Sequence, residues 1–251
     1  MTLSTLHTVF HIKEITSENY RTKTFTLDAP LPGAQPGQFV MAWLPDVGEK
    51  PFSIAGADPL KLTVVAVGSF SQALHDLRPG DRVWARGPLG KGYQLSGSRH
   101  LLVGGGYGAA PLLFLAETAL ARGDMVRVCL GARSAPDILL VEAFKKAGAE
   151  VAVTTDDGSL GKQGLVTQAV GDALEAFAPD TLYACGPVAM LSALAEQCRA
   201  AGLPCQLSWE ALMRCGIGLC GSCELPAEAG HAAGVPSGWL TCKDGPVYIT
   251  Q

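Results

Sequence analysis

Four cysteines within residues 215–251, Cys215, Cys220, Cys223 and Cys242, constrain this chain more than any other feature. Four residues separate the first two, two the next pair, and eighteen lie between Cys223 and Cys242. This C-x4-C-x2-C...C order is the plant-type arrangement for a 2Fe-2S cluster, whose irons are held by thiolates. Gly216, Gly218 and Gly221 suit such a loop, because residues without a Cβ let the backbone fold close and aim N–H groups at sulfur. A structural zinc site is the alternative; it usually pairs its ligands in two short knuckles, whereas the fourth cysteine here stands alone. A disulfide pair is not expected in a reducing compartment. The other cysteines, Cys129, Cys185, Cys198 and Cys205, are spread over apolar segments and read as packing residues.

The 251 residues are 48% hydrophobic and 17% charged, enough to build a sizeable core. Lys plus Arg number 19 against 23 Asp plus Glu, and the resulting net charge of -4 argues against a nucleic-acid or membrane-surface binder. The long uncharged stretch Leu101 to Ala116 contains four glycines and a proline and is shorter than the roughly 20 apolar residues of a membrane span. Met1 to Ile15 holds no apolar run of signal-peptide length. A cytoplasmic protein is expected.

The first hundred residues read as all-β. Runs at Tyr20–Leu27, Gln38–Leu44, Lys61–Val67 and Arg82–Ala85 are punctuated by Pro and Gly, which suggests a barrel or sandwich. Ser69–Leu77 breaks the pattern as a short helix that Ser71 could cap. From His100 strands alternate with helices: Leu101–Val103, Val126–Leu130, Glu150–Thr154, Thr181–Ala184 and Cys205–Trp209 between helices near Ala109–Ala121, Asp137–Ala147, Leu165–Phe177 and Val188–Ala201. That rhythm implies a doubly wound parallel sheet. Residues 210–251 are Cys- and Gly-rich with little periodicity. The expected organisation is therefore multidomain: an antiparallel β-barrel over 1–98, an α/β doubly wound nucleotide domain over 99–209 and a small metal-centred lobe over 210–251.

Leu101-Leu102-Val103 runs into Gly104-Gly105-Gly106-Tyr107-Gly108-Ala109-Ala110-Pro111. A glycine turn between strand and helix lets a pyrophosphate meet the positive end of the helix, although a purely structural tight turn would look the same. Asp156 and Asp157 follow the third strand, where carboxylates would bind a ribose and repel a 2′-phosphate, favouring NAD over NADP; solvated loop-end carboxylates are the alternative. Lys50-Pro51-Phe52-Ser53 offers a cation for a diphosphate, an apolar wall and a hydroxyl donor, in a tetrapeptide that is otherwise ordinary at a strand edge.

Together these residues resemble the electron-transfer subunit of the two-subunit, NAD-dependent dihydroorotate dehydrogenases, within the ferredoxin-reductase-like flavoproteins. Lys50-Pro51-Phe52-Ser53 sits where that family has Arg-Pro-x-Ser, Gly87-Pro88-Leu89-Gly90 resembles its Gly-Pro-Leu-Gly turn, and Gly104 to Pro111 its pyridine-nucleotide turn. Tyr183 to Pro187 resembles its Cys-Gly-Pro element, and Glu210-x-x-Met213-x-Cys215 through Cys223, closed by Cys242 to Val247, is the most specific part. The likeness spans roughly residues 36–248. Two departures stand out. Lys50 replaces an arginine, and an ammonium does not reproduce a bidentate guanidinium, so weaker flavin binding is expected. Phe70 and Ser71 stand where relatives often have Gly-Thr; the hydroxyl is kept and a ring is added.

The resemblance implies FAD on the barrel, contacted by Lys50, Pro51, Phe52, Ser53, Val65, Ala66, Gly68, Phe70 and Ser71. It implies NAD on the doubly wound domain at Gly104, Gly105, Gly106, Gly108, Pro111, Asp156 and Asp157, with Cys185 beside the nicotinamide, and a 2Fe-2S cluster on Cys215, Cys220, Cys223 and Cys242. NADH yields a hydride and the cluster takes single electrons, so a flavin stands between them. His7, His11, His75, His100 and His231 have no paired carboxylates nearby in sequence and read as surface or packing residues, so no general base for dihydroorotate oxidation is visible. The implied partner is a catalytic subunit carrying FMN, in a heterotetramer serving pyrimidine biosynthesis. The rival readings are an NAD(P)H-ferredoxin or hydrogenase-type reductase subunit, and a zinc-binding regulatory protein on the same fold.

Overall fold

The computed structural model describes residues 6–250. Six antiparallel strands, β1 (Thr8–Asn19), β2 (Thr22–Leu27), β3 (Phe39–Leu44), β4 (Gly48–Ala57), β5 (Leu60–Val65) and β6 (Arg82–Leu89), close into a barrel in the order β1-β2-β5-β4-β3-β6. Its interior is filled by Phe10, Ile12, Phe25, Leu27, Val40, Ile54, Leu62, Val64 and Val83. Sequence patterning misses β1. Phe10 and Ile12 alternate inward as a strand should, but a bulge between Ile12 and Glu14 shifts the register and breaks the period that would have marked the rest.

Between β5 and β6 lies α1 (Ser69–His75), anchored by buried Phe70 and Leu74. Ser71 caps this helix from inside its first turn, as the N3 member of a capping box, and is not the N-cap residue itself. Gly68 holds the cap position, and Ser71, one turn in, folds its hydroxyl back to accept the N–H groups of Val67 (2.9 Å) and Gly68 (3.0 Å). The expected cap is thus a clasp on the approach to the helix.

The second domain carries β7 (Arg99–Gly105), α2 (Ala109–Ala121), β8 (Met125–Ala132), α3 (Val141–Ala147), β9 (Glu150–Thr155), β10 (Lys162–Gln163), α4 (Val166–Phe177), β11 (Thr181–Cys185), α5 (Val188–Ala201) and β12 (Cys205–Ser208). The sheet order is β10-β9-β8-β7-β11-β12 and then β13 (Val247–Ile249), parallel except at β13. Alternate residues of β7 face opposite sides: Leu101 and Val103 pack with α4 and α5, and Leu102 with α2 and α3. This is the doubly wound arrangement that alternating strands and helices predict. One helix is shorter than its pattern suggests. Leu140 adopts a left-handed φ of 62°, so α3 begins at Val141 and Asp137 closes a separate one-turn 3-10 helix, Ala135–Asp137. Phe114 of α2 packs against the barrel core, joining the domains.

After β12 the chain forms the cysteine lobe with a single short helix, α6 (Ala227–Gly230), then returns as β13 (Val247–Ile249) to the edge of the nucleotide-domain sheet. The lobe also rests on the barrel: Met213, Cys223 and Cys242 share an apolar cluster with Phe39, Met41 and Leu89. No helix among the described residues is long and apolar enough to cross a membrane.

Candidate active site and cluster centre

The four clustered cysteines gather in one lobe as two pairs, and backbone N–H groups point at three of the sulfurs. Gly218 N–H lies 3.0 Å from Cys242 Sγ, Leu219 N–H 3.3 Å from Cys215 Sγ and Cys242 N–H 3.5 Å from Cys223 Sγ. Gly218 makes this possible with φ +78°, and a Cβ there would come within 2.6 Å of the Lys243 side chain. The thiols fall into two pairs. Cys223 and Cys242 sulfurs are 3.1 Å apart, and Cys215 hydrogen-bonds Cys220. Donation from the Ser222 hydroxyl and backbone, then from Cys215, lowers the Cys220 thiol to about 6, so it is readily a thiolate, the form that binds metal. Among the described residues no three His, Cys, Asp or Glu side chains converge as a single ion requires. Two pairs fit a centre of two irons, each taking two thiolates.

A half-buried ion pair ties this loop to the barrel. Arg86 on β6 donates from Nε and Nη2 to both Glu49 oxygens (2.7 and 2.9 Å) and from Nη2 to the Cys215 carbonyl (2.8 Å). Neither residue is marked by a local motif, since the partners lie 37 and 129 positions apart. His7 adds a contact to Glu49 at 2.8 Å.

The nucleotide-domain crevice forms where strand order reverses between β7 and β11, the switch point at which such sheets bind ligands. A cavity of about 610 Å³ opens there, lined by Gly105, Gly106, Pro187, Met190 and Asp156 on one wall and by Asn19, Tyr20, Arg21 and Val65 of the barrel on the other. The glycines divide by role. A Cβ on Gly108 would sit 2.2 Å from the Cys185 carbonyl oxygen, and one on Gly105 would sit 2.7 Å from Pro187 Cδ, so these two interlock the turns after β7 and β11. Gly104 packs likewise on Ala109, at 3.0 Å. Gly106, at φ +55° with nothing within 4 Å, faces open space. Pro111 sits in the first turn of α2, where no N–H is needed.

Asp156 lines the cavity, whereas Asp157 is turned into its own loop, accepting from Ser159 N–H (3.0 Å) and Oγ (2.6 Å). Arg133, absent from the sequence reading, lines the cavity as well. Cys185 is buried under Gly108. Burial, with the nearby Glu210 charge, pushes its thiol up to about 12, so it stays neutral and is not a nucleophile at physiological pH. Tyr107 donates to Glu210 at 3.1 Å; burial raises the Glu210 carboxyl and, reinforced by Glu210, lifts the Tyr107 phenol to about 12.

On the barrel, Lys50, Pro51, Phe52 and Ser53 lie along β4, with Lys50 and Ser53 exposed and Phe52 half-buried. Phe70, from the α1 start, meets Phe52 at a ring-centroid distance of 5.8 Å. The added ring of Phe70 therefore turns inward to 4% exposure and does not obstruct the outer face, where Gly68 has nothing within 4 Å. Val65 reaches the large cavity, and Ala66 binds the neighbouring hairpin, its N–H donating to Arg21 O. Lys50 does not line that cavity; Arg21 and Arg133 are the cations that do.

Three histidines gain carboxylate partners that sequence distance hid: His7 with Glu49, His11 with Asp28 and His100 with Asp124. None of the five lines the cavity.

Comparison with known proteins agrees with this geometry. Residues 210–251 match the family model of the iron-sulfur cluster binding domain of dihydroorotate dehydrogenase B, and residues 102–196 match an oxidoreductase NAD-binding domain. A probable dihydroorotate dehydrogenase B (NAD(+)) electron transfer subunit of Methanopyrus kandleri is 40% identical over 219 residues, covering 86% of this chain and 80% of that one. The protein of the same description from Thermococcus kodakarensis is 38% identical, covering 97% and 96%. The chain belongs to this family of electron transfer subunits. Membership sets zinc aside in favour of an iron-sulfur centre, matching the paired thiols. Among solved structures, that of an NADH-dependent reduced ferredoxin-NADP oxidoreductase superposes with a TM-score of 0.82 at 29% identity, over 100% of this chain and 90% of that one. The ferredoxin reductase of carbazole 1,9a-dioxygenase, at TM-score 0.68 and 21% identity over 79% and 66%, shares the fold.

Proposed function

We propose that this electron transfer subunit relays electrons between NAD(H) and a dihydroorotate dehydrogenase catalytic subunit carrying FMN, in a cytoplasmic heterotetramer of pyrimidine biosynthesis. One observation carries the internal route. Met41, which packs with Cys223 and Cys242, is the direct cross-strand partner of Pro51 in the Lys50–Ser53 segment. A single strand spacing, about 5 Å, therefore separates the flavin segment from the residues seating the cluster.

FAD supplies the exchange between hydride and single-electron chemistry, NAD carries the hydride and the 2Fe-2S centre carries single electrons. The chain's own residues hold these groups in order. Phe52 and Phe70 brace the barrel side, and Gly68 leaves room for a phosphate beside α1. Gly106 leaves the same room in the crevice, while Gly105 and Gly108 fix the two turns that frame it. Cys185, kept neutral, offers a small uncharged surface beneath the nicotinamide position. Asp156 receives the ribose, and Cys215, Cys220, Cys223 and Cys242 ligate the irons. Residues 1–98, 99–209 and 210–251 are the three working units.

The test is anaerobic purification followed by flavin, iron and acid-labile sulfide analysis, then mixing with the catalytic subunit. FAD, two irons and two sulfides per chain, with dihydroorotate-dependent NAD+ reduction only in the mixture, are expected. Zinc without sulfide, or activity of the chain alone, would refute the reading. The structural similarity to the ferredoxin-NADP oxidoreductase favours ferredoxin as a second candidate partner. Efficient NADH-dependent ferredoxin reduction without response to the dihydroorotate-oxidising subunit would select it.

A further inference from the structure

The cavity of about 610 Å³ has one wall from each domain, and the walls are tied at one corner by the β1–β2 hairpin tip. Asn19 Nδ2 donates to the Pro136 carbonyl (3.0 Å), while Tyr20 OH and Arg21 Nη2 both donate to Asp137 Oδ1 (2.9 Å each). Ser134 Oγ donates to the other Asp137 oxygen at 3.1 Å. Burial alone would raise the Asp137 carboxyl, but the hydrogen bonds of Tyr20 and Ser134 and the Arg21 charge hold it below its ordinary value, so it is ionised at neutral pH.

The charged residues lining the cavity are Arg21, Arg133, Asp137 and Asp156, two of each sign. A ligand bringing a doubly negative pyrophosphate thus meets a wall whose positive charge is half spent. Arg133 has no ion pair among the described residues, and Arg21 is committed to Asp137. The two partners are not equally fixed. The Arg21 side chain is 45% exposed and the Asp137 side chain 17%, and Asp137 retains Tyr20 and Ser134 if Arg21 leaves. An ion pair with one partner so exposed is held weakly, because water screens it. A guanidinium fork on a phosphate is a stronger contact, so exchange runs toward the phosphate. The Arg21 backbone is itself pinned beside the flavin segment, its carbonyl accepting the Ala66 N–H at 2.9 Å, so only the side chain has to move.

The geometry points to Arg21 as a pyrophosphate-binding residue held in reserve: a bound dinucleotide takes its guanidinium from Asp137, while Tyr20 and Ser134 keep the carboxylate in place. This rests on the FAD and NAD reading above, and the chemistry recognised is the pyrophosphate that both share.

The test measures dissociation constants by fluorescence titration, of FAD for the flavin-depleted chain and of NADH for the FAD-loaded chain, in Arg21→Ala, Arg21→Lys and Asp137→Asn. Arg21→Ala should weaken one of the two dinucleotides about tenfold, and Arg21→Lys should fall between it and the parent. Asp137→Asn, by freeing Arg21, should tighten the same dinucleotide. The dinucleotide that responds identifies whose pyrophosphate is held. A tie that merely braces the domains predicts that the Arg21→Ala and Asp137→Asn proteins both bind more weakly; that result, or no response to either substitution, overturns the inference. Failure of the cofactor reading is distinguishable, because the unsubstituted chain would then bind neither dinucleotide.

Discussion

The interlock of the two crevice turns invites a test at one atom. Gly108 has φ -61°, a conformation open to any residue, so Gly108→Ala carries no backbone strain. Its added methyl would nevertheless stand 2.2 Å from the Cys185 carbonyl oxygen, 2.5 Å from the Cys185 carbonyl carbon and 2.8 Å from Gly186 N, where 3.4–4 Å is ordinary contact. All three neighbours are backbone, so relief requires the turns after β7 and β11 to separate by about 1 Å. Overpacking of this kind costs about 3 kcal/mol when nothing flexible can yield, or a melting temperature lower by about 6–12 °C in a chain of this size. Because the turns frame the nucleotide crevice, NADH affinity should fall too. Gly106→Ala is the control: it has open space around it but a φ of +55°, so it should cost about 1 kcal/mol through strain alone. Melting curves by circular dichroism and NADH titrations of both proteins decide the matter. Equal melting temperatures for the two, or unaltered NADH binding in the Gly108→Ala protein, would refute the interlock.

Three more outcomes follow from the same geometry. Cys220→Ser should abolish electron delivery to the catalytic subunit while sparing NADH-dependent reduction of an artificial dye, since the cluster lies beyond the flavin; parallel loss of both activities in protein that retains FAD would contradict that order. Burial alone would raise the Glu49 carboxyl, but hydrogen bonds with Arg86 and His7 outweigh it and hold the group below its ordinary value. Its contribution is therefore present above an unfolded value of about 4.3 and lost as pH falls through the lower folded value. Denaturant titrations across that range should show an acid-side loss that Glu49→Gln removes. Asp156→Ser should raise the efficiency with NADPH relative to NADH severalfold, because Arg133 remains beside the site to meet a 2′-phosphate; steady-state kinetics with both nucleotides measures this, and an unchanged ratio would show that Asp156 does not face the ribose.

Much of the molecule is legible from local pattern. The cysteine spacing with its glycines identifies the cluster loop, because a metal centre folded in one short segment leaves its ligands close in sequence. The strand and helix rhythm of the nucleotide domain follows from periodicity, and the Gly104–Pro111 turn from its place between strand and helix. What local pattern misses is the direction each side chain takes, which the turn around it and the packing beside it decide. Pattern places Ser71 at the helix start but not at the position behind Gly68 that it takes, and it does not show that the added ring of Phe70 turns inward against Phe52. Asp156 and Asp157 look alike in sequence, yet Ser159 captures Asp157 while Asp156 lines the cavity.

Four cysteines at fixed intervals, and a strand that runs into glycines, declare themselves in one dimension because their chemistry is satisfied within a few tens of residues. The Arg86–Glu49 pair under Cys215 and the Arg21–Asp137 tie across the cavity join positions 37 to 129 residues apart, so they exist only once a closed barrel and a twisted sheet have placed their ends together. Charge pairs carry no periodicity along the chain; folding alone chooses each partner, and with it which cations remain free to meet a ligand.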